Sequence, residues 1–522
     1  MILPNSIKVH QINQKIPLAQ TGSFSKLFID YLSKNESLSN FYCEYPDLTG
    51  FEKKIKTRKY GHREKLVEVL KKQYQGILNA PEIDLFLNEN TFCVTTGHQL
   101  NIFTGPLYVV FKIVSTINLA KKLKEEFPAY NFLPVYWMAT EDHDFEEISS
   151  FNLFGQKHIW ETLQKGAVGR MNPKELLEII LNLKEKPEIF EKAYSQNNTL
   201  TSSVRSYMHD LFGSEGLVCI DGDDHSLKSL FSSILEDDLF QNSSEKIVNE
   251  TTISLEKLGY KSQINARNIN LFYLENNLRE RIEKHGDGFK VLNTDKIIST
   301  IEMKDILANE PEKLSPNVVL RPLYQECILP NLAYLGGPSE VTYWLQLKGI
   351  FDYHFLSFPI LVPRNFGTII NVATQKRLDK LGVKAEELFQ EEAALKKSFV
   401  AKNSEHELSL QHEISEMVLI YNVIIEKAIV IDVTLKGVVE AEKAKQTNAL
   451  ENLEKRIKKA EERNFETAIT QLLNLKEKIF PGGILQERKE NFLNFYLNDP
   501  SFIKILLKEF DPLDFQMNII SV

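Results

Sequence analysis

Phe92-Cys93-Val94-Thr95-Thr96-Gly97-His98-Gln99-Leu100-Asn101-Ile102-Phe103-Thr104-Gly105-Pro106 decides how this chain is read. An apolar, β-branched run that ends in glycines and meets Pro106 ahead of Leu107, Val110, Phe111, Val114, Ile117 and Leu123 predicts strand, loop and helix, with Pro106 in the first helical position and Pro128 ending the helix. Such a junction turns free backbone N–H groups and a positive dipole end toward one point, which suits an anion around Thr96, Gly97, His98, Gln99, Thr104 and Gly105. An ordinary βα turn accounts for the segment equally well.

Working outward, Asn131-Phe132-Leu133-Pro134-Val135-Tyr136-Trp137-Met138 predicts a second strand running into Thr140-Glu141-Asp142-His143-Asp144-Phe145-Glu146-Glu147. Strand, helix and strand at this spacing form a βαβ unit with parallel strands, in which ligands gather at the carboxyl ends. Both polar clusters fall there. Strand-like segments follow at Leu217 to Asp221, Ile269 to Leu274, Val318 to Arg321 and Ile360 to Arg364. The expected fold is α/β, a parallel-sheet core with an insertion and a helical coiled-coil domain.

The expected divisions are a lead-in over 1–90, a first half of the core over 91–150, an insertion over 151–261 and a second half over 262–375. A coiled-coil dimerisation arm over 376–480 and a tail over 481–522 returning to the core complete the chain. Leu453, Ile457, Ala460, Ala468, Leu472, Leu475 and Ile479 keep three-and-four spacing around Asn464, and Leu388 to Ile429 supplies an antiparallel partner. The apolar remainder should pair with a second copy, giving a homodimer whose register Asn464 helps to fix.

At 522 residues with 43% hydrophobic and 25% charged residues, the composition is that of a soluble globular protein with room for several domains. A net charge of -9 gives no basic field, so nucleic acid is excluded as a principal partner. Cys43, Cys93, Cys219 and Cys327 form no C-x-x-C pair, which fits a reducing cytoplasm without a disulfide framework. The first residues show no leader pattern and no run approaches membrane-spanning length, so the expected location is cytoplasmic, away from the membrane.

Thr95-Thr96-Gly97-His98 partially matches the T-x-G-H turn of nucleotidyl-transferring folds, where an imidazole donates to phosphate; the alternative is a loop histidine bonded to backbone. Asp142, His143 and Asp144, crowded with Glu141 at one strand end, are the catalytic candidates: the cluster could hold a metal, orient an amine or supply a base. Gly336-Gly337-Pro338-Ser339-Glu340 opens another helix, with Ser339 able to cap it. Arg267, Arg321 and Arg364 lie beside predicted strands and could fork onto carboxylate or phosphate, while Asp221, Asp223, Asp224 and His225 read as a structural turn. Gln486, Arg488, Asn491 and Asn494 form a polar patch that could bind a second nucleotide.

Thr96-Gly97-His98-Gln99, Thr104-Gly105-Pro106-Leu107-Tyr108, Thr140 to Glu147, Asp221-Gly222-Asp223-Asp224, Ile269 to Leu274, Gly336 to Glu340 and Phe480-Pro481-Gly482-Gly483-Ile484-Leu485-Gln486-Glu487-Arg488 together resemble the BshC family of bacillithiol biosynthesis, in consistent order from about residue 90 onward. The resemblance implies a Rossmann core with connecting-peptide insertions, dimerisation through the coiled coil, and a ligase that adds cysteine to glucosaminyl malate as an amide. By analogy with class I aminoacyl-tRNA synthetases it also implies ATP as the activating cofactor. The chain has no K-M-S-K-S loop, which keeps open a rival from another class, a non-catalytic nucleotide- or metabolite-binding dimer of the same pathway.

Overall fold

The computed structural model describes residues 12–522. The first eleven residues of the expected lead-in, including the stretch read as lacking a leader, lie outside them. Two units divide the chain: Met1–Thr368 with Leu485–Ile520, and Ile369–Ile484 with Ser521–Val522.

In the first unit α1 (Arg63–Gln73) precedes β1 (Thr91–His98), α2 (Leu107–Glu126), β2 (Asn131–Met138) and β3 (Val218–Asp221). An antiparallel set follows, β4 (Leu271–Glu275), β5 (Leu278–His285), β6 (Gly288–Val291), β7 (Ile297–Ile298) and β8 (Leu314–Pro316). Then come α3 (Arg321–Ile328), β9 (Asn331–Gly336), α4 (Pro338–Leu345) and β10 (Ile360–Pro363). The core sheet has the order β10-β9-β1-β2-β3, every pairing parallel. Helix α2 is buried on nearly every side, which is why its sequence is apolar almost all round. Its Leu119, Ala120 and Leu123 pack on Phe92, Val94 and Phe132 of the sheet and on Leu332, Leu335, Ile360 and Val362. Pro134 is tolerated inside β2 because β3 pairs only with Val135–Met138, beyond the N–H that proline lacks.

The structure corrects the expected divisions in three places. β3 lies within the segment read as an insertion, yet it is the edge strand of the core. The strand expected at Ile269 to Leu274 belongs to a separate antiparallel sheet, of order β7-β6-β5-β4-β8. No strand forms at Val318 to Arg321: Asn317 Oδ1 accepts the N–H groups of Val319 (2.8 Å) and Leu320 (3.4 Å) and turns the chain into α3. The core is completed instead by β9, which the sequence reading passed over, and by β10.

In the second unit α5 (Val372–Leu381) and α6 (Glu392–Asn403) precede a long hairpin of α7 (Gln411–Ile431) and α8 (Leu435–Asn464), and α9 (Glu466–Ile479) closes the set. The β-branched run from Val423 is helical as far as Ile431. Asn464 ends α8 and donates to Glu461 Oε2 at 2.7 Å. Leu419, Ile420, Val423, Val430, Ile431 and Val438 stay exposed along the hairpin, Val430 at 87%. Among the described residues no helix is long and apolar enough to cross a membrane.

Candidate functional site

At the carboxyl ends of the core strands lies a cleft of about 380 Å³ lined from β1, β2, β9 and the loops after them. Gly97 lets the chain pass close to the opposite wall: a Cβ there would stand 3.2 Å from the Tyr334 hydroxyl and 3.4 Å from Arg321 Nη1. Beneath it Lys112, buried in α2, donates to the Gly97 carbonyl and to both Glu340 oxygens, at 3.0 and 2.7 Å. Glu340 also accepts the Tyr334 hydroxyl (2.6 Å) and the Gly337 N–H (2.8 Å). Burial pushes the Glu340 carboxyl up, but the Lys112 ammonium outweighs it and holds it below the usual range. Glu340, and not Ser339, therefore caps the start of α4.

Three acidic groups follow β2 and β3 with different fates. Asp142 accepts Gln99 Nε2 (2.6 Å) and the N–H groups of His143 (2.7 Å) and Asp144 (3.3 Å), with Arg279 Nη1 at 3.6 Å. Burial works against its charge, but the His143 side chain, the Arg279 charge and the N–H groups of His143 and Asp144 prevail and hold Asp142 far below the usual carboxylate range, a fixed anion. Its neighbour Glu141 is buried with Lys228, whose ammonium is fully enclosed and also donates to the Leu314 carbonyl at 2.7 Å. Burial, with Asp223 adding to it and Lys228 opposing, lifts Glu141 to about 7. Asp221 is raised to about 6 by burial and by Asp223, and is held by the Thr140 hydroxyl and the Asp223 N–H; Asp223 itself forks with Arg170 at 2.8 and 2.9 Å.

The opposite wall is cationic. The Arg321 guanidinium sits 5.5 to 6.0 Å from the rings of Tyr334, Trp137 and Trp344, and its Nη2 is buried without a partner among the described residues. Arg364 binds Glu487 at 2.5 Å and leaves Nε likewise unpartnered. His98, edge-on to Tyr108, has Nε2 in the same condition; burial, reinforced by Lys112, drops it to about 3, so its imidazole is neutral. Arg488 completes this wall beside Tyr108.

Of the residues singled out from sequence, Gly97, His98, Gln99, Asp142, Arg321, Gly337, Ser339, Glu340, Arg364 and Arg488 line the cleft. The others do not. Thr96 spends its hydroxyl on the Leu335 carbonyl inside the sheet, and Gly336 ends β9 beneath the cleft. His143 faces Arg279, its Nδ1 accepting Nη1 at 2.7 Å, while Asp144 caps the short helix Phe145–Ile148. Arg267 is exposed elsewhere.

Thr104 and Gly105, both with positive φ, form the turn before α2, and Gly105 must be glycine because a Cβ would reach 2.5 Å from that of Asn101. The expected anion site at this helix start is filled by the chain itself. Pro106 precedes the helix, the Leu107 N–H donates to the Glu490 carbonyl at 2.7 Å, and Asn491 Nδ2 donates to the carbonyls of Phe103 and Gly105. Asn491, with Asn494 accepting the Phe154 N–H at 2.7 Å and Gln486 buried beside them, serves to fasten the returning tail, so only Arg488 of the proposed second pocket reaches the cleft.

Lys112, Lys228, Arg279, Tyr334 and Tyr343 were not singled out. Glu141 stood in the quoted acidic cluster, and its partner is 87 residues away; Lys112 carried no signal within an apolar helix. Among the described residues no group of three metal-ligating side chains forms.

Profiles of known families cover nearly the whole chain. One described as bacillithiol biosynthesis BshC, N-terminal Rossmann-like domain, matches residues 11–365, and one described as bacillithiol biosynthesis BshC, C-terminal coiled-coil domain, matches 367–522. A protein of Cytophaga hutchinsonii is 42% identical over 512 residues, spanning 97% of this chain and 98% of its own. One of Flavobacterium johnsoniae is 41% identical over 521 residues, spanning 96% and 98%. Both carry the provisional name cysteine ligase BshC.

Proposed function

The chain belongs to the BshC family of bacillithiol biosynthesis, and we propose that its cleft joins cysteine to the amine of glucosaminyl malate as an amide, with ATP activating the cysteine carboxylate. One observation supports the reading above others. Three buried nitrogens without partners among the described residues, on His98, Arg321 and Arg364, border the same cleft as the carboxylates of Glu141 and Asp142. A buried donor left unpaired costs about 1–3 kcal/mol, so the two guanidinium nitrogens suit an acceptor brought by a ligand, while the neutral His98 ring can donate or accept according to its tautomer. Substrates that carry carboxylates at one end and an amine at another match such a divided wall.

Asp142 suits the cysteine ammonium, because a carboxylate that stays charged holds a cation without taking its proton. Arg321, Arg364 and Arg488 suit the malyl carboxylates or the phosphates of ATP through forked donors. ATP, when bound, would supply a phosphoanhydride bond whose cleavage makes amide formation favourable. The first N–H of α2 is taken by the tail and that of Gly337 by Glu340, so the reading gives phosphate to the arginine side chains that line the cleft. The exposed apolar residues of α7 and α8 suit a two-fold pairing of hairpins, and we infer a homodimer through them.

Incubating the purified chain with glucosaminyl malate, cysteine and ATP, and following bacillithiol by mass spectrometry, tests the activity. Product that requires all three supports the ligase. Binding of the substrates without product under reducing conditions, across several added metals, supports the non-catalytic rival.

A further inference from the structure

The cleft holds several groups able to take a proton, and their surroundings differ enough to rank them. Amide formation needs one such group: when the neutral amine attacks the activated carbonyl carbon, a C–N bond forms, the nitrogen becomes cationic and must lose one proton, and the leaving group departs with the electron pair of the broken C–O bond. Asp142 is held too firmly as an anion by Gln99, Arg279 and two backbone N–H groups to accept that proton. Glu340 is pinned by Lys112, Tyr334 and Gly337. His98 is buried beside Lys112, and His143 already spends Nδ1 on Arg279. Asp221 lies outside the cleft lining.

Glu147 also borders the cleft, and burial and the charges of Asp142, Asp144 and Glu340 raise its carboxyl, but no hydrogen bond among the described residues aims it. Glu141 differs from all of these in combining a raised carboxyl with a buried cation that holds it. It borders the cleft, one oxygen takes the Lys228 ammonium, and Lys228 is wedged between that oxygen, the Leu314 carbonyl and the Tyr324 ring, 5.3 Å from its centroid. The charges around Glu141 are Lys228 from the helix His225–Ser229, Asp223 from the loop after β3, Arg279 from β5 and Arg170 from the short turn Val168–Arg170, with Asp142 beside it in the chain. The cations favour its ionisation, Asp223 opposes it, and burial tips the balance toward the neutral form. We propose that Glu141 accepts the proton released by the attacking amine and that Lys228 is the positioning residue that aims it. The proposal rests on the amide-forming reading above.

The test compares wild type with Glu141→Gln across pH. Because the base must start ionised, wild-type kcat/KM is expected to fall as pH drops through about 7, and the variant to lose that limb together with ~100-fold in kcat at little change in KM. Glu141→Gln leaves Lys228 charged and unpaired, so Glu141→Gln/Lys228→Met is the second variant, expected to fold and to show the same flat profile. Infrared spectra across pH give an independent readout: the protonated-carboxyl band that Glu141→Gln removes should appear near pH 7, and move to higher pH in Lys228→Met. A limb that survives in both Glu141 variants, a limb abolished only by Glu147→Gln, or a Glu141 still ionised at pH 5 overturns the assignment. Wild-type protein that makes no amide refutes the underlying reading instead.

Discussion

Replacing Lys112 by Met tests whether the cleft is built on a buried charge pair. The ammonium is 1% exposed and bonds both Glu340 oxygens and the Gly97 carbonyl, while Glu340 is 27% exposed and keeps only Tyr334 and Gly337 once the lysine is gone. Removing one partner of a buried pair costs about 3–5 kcal/mol. The partial opening of Glu340 toward the cleft puts the expected loss at the lower end, about 3 kcal/mol. Lys112→Met/Glu340→Gln, which buries no unpaired charge, should regain about 2 kcal/mol of it. Urea unfolding followed by tryptophan emission measures both, because Trp137, Trp160 and Trp344 all lie in the first unit and report on it alone. The pH dependence carries a second signature. A carboxyl whose folded pKa is depressed contributes stability that is present above its ordinary 4.5 and is lost as pH falls through the lower folded value; without Lys112 burial dominates, the folded pKa moves above 4.5 and the sign reverses, so Lys112→Met should lose stability as pH rises through that value. A single variant within 1 kcal/mol of wild type, or a double variant equal to the sum of the two single ones, would refute the reasoning.

Asp142→Asn should lower turnover ~100-fold while shifting the urea midpoint little, if Asp142 holds an ammonium; wild-type rates would reassign it to structure. Gly97→Ala places a methyl against the Tyr334 hydroxyl and Arg321, and is expected to raise KM for the carboxylate-bearing substrate several-fold, with steady-state kinetics as the check. Since His98 is neutral down to about pH 3, His98→Gln should leave the acid limb of the pH profile where it is; a displaced limb would mean that His98 titrates in the working range. Val430→Glu with Ile431→Glu should convert a dimer to a monomer in light scattering at micromolar concentration, and an unchanged mass would defeat dimerisation through the hairpin.

How much of this was legible in the sequence depends on the range of the forces involved. β1, α2 and β2 are announced by their own residues, since a buried strand and an all-round buried helix need only apolar side chains in the right number. β3 misled because four residues between helical segments look like an insertion until β2 is seen to pair with them. Val318 to Arg321 looked like a strand because its composition is apolar, and a single side chain, Asn317, redirects it. The glycine loop at Thr104 and Gly105 was read correctly as a turn before a helix, but nothing in it told that residues near 490 would occupy the place meant for an anion. Asp142 was visible as one of a crowd of charges. Which member of the crowd stays ionised and which hovers near neutrality depends on Lys228 and Arg279, both remote in sequence.

The tail that fastens the start of α2 has a bearing on how the protein is made. Arg364 finds Glu487 only across 123 residues of intervening chain, and the Leu107 N–H waits still longer for the Glu490 carbonyl. At a synthesis rate of about 5–20 residues per second, the first gap alone lasts roughly 6–25 s on the ribosome. During that interval the sheet can form, but the guanidinium at its edge lacks its counter-charge and the helix beneath the cleft lacks its cap. A chain that stops just after α9 lacks both Glu487 and Glu490, so the cleft gains its last fastenings only after the whole hairpin unit has been made.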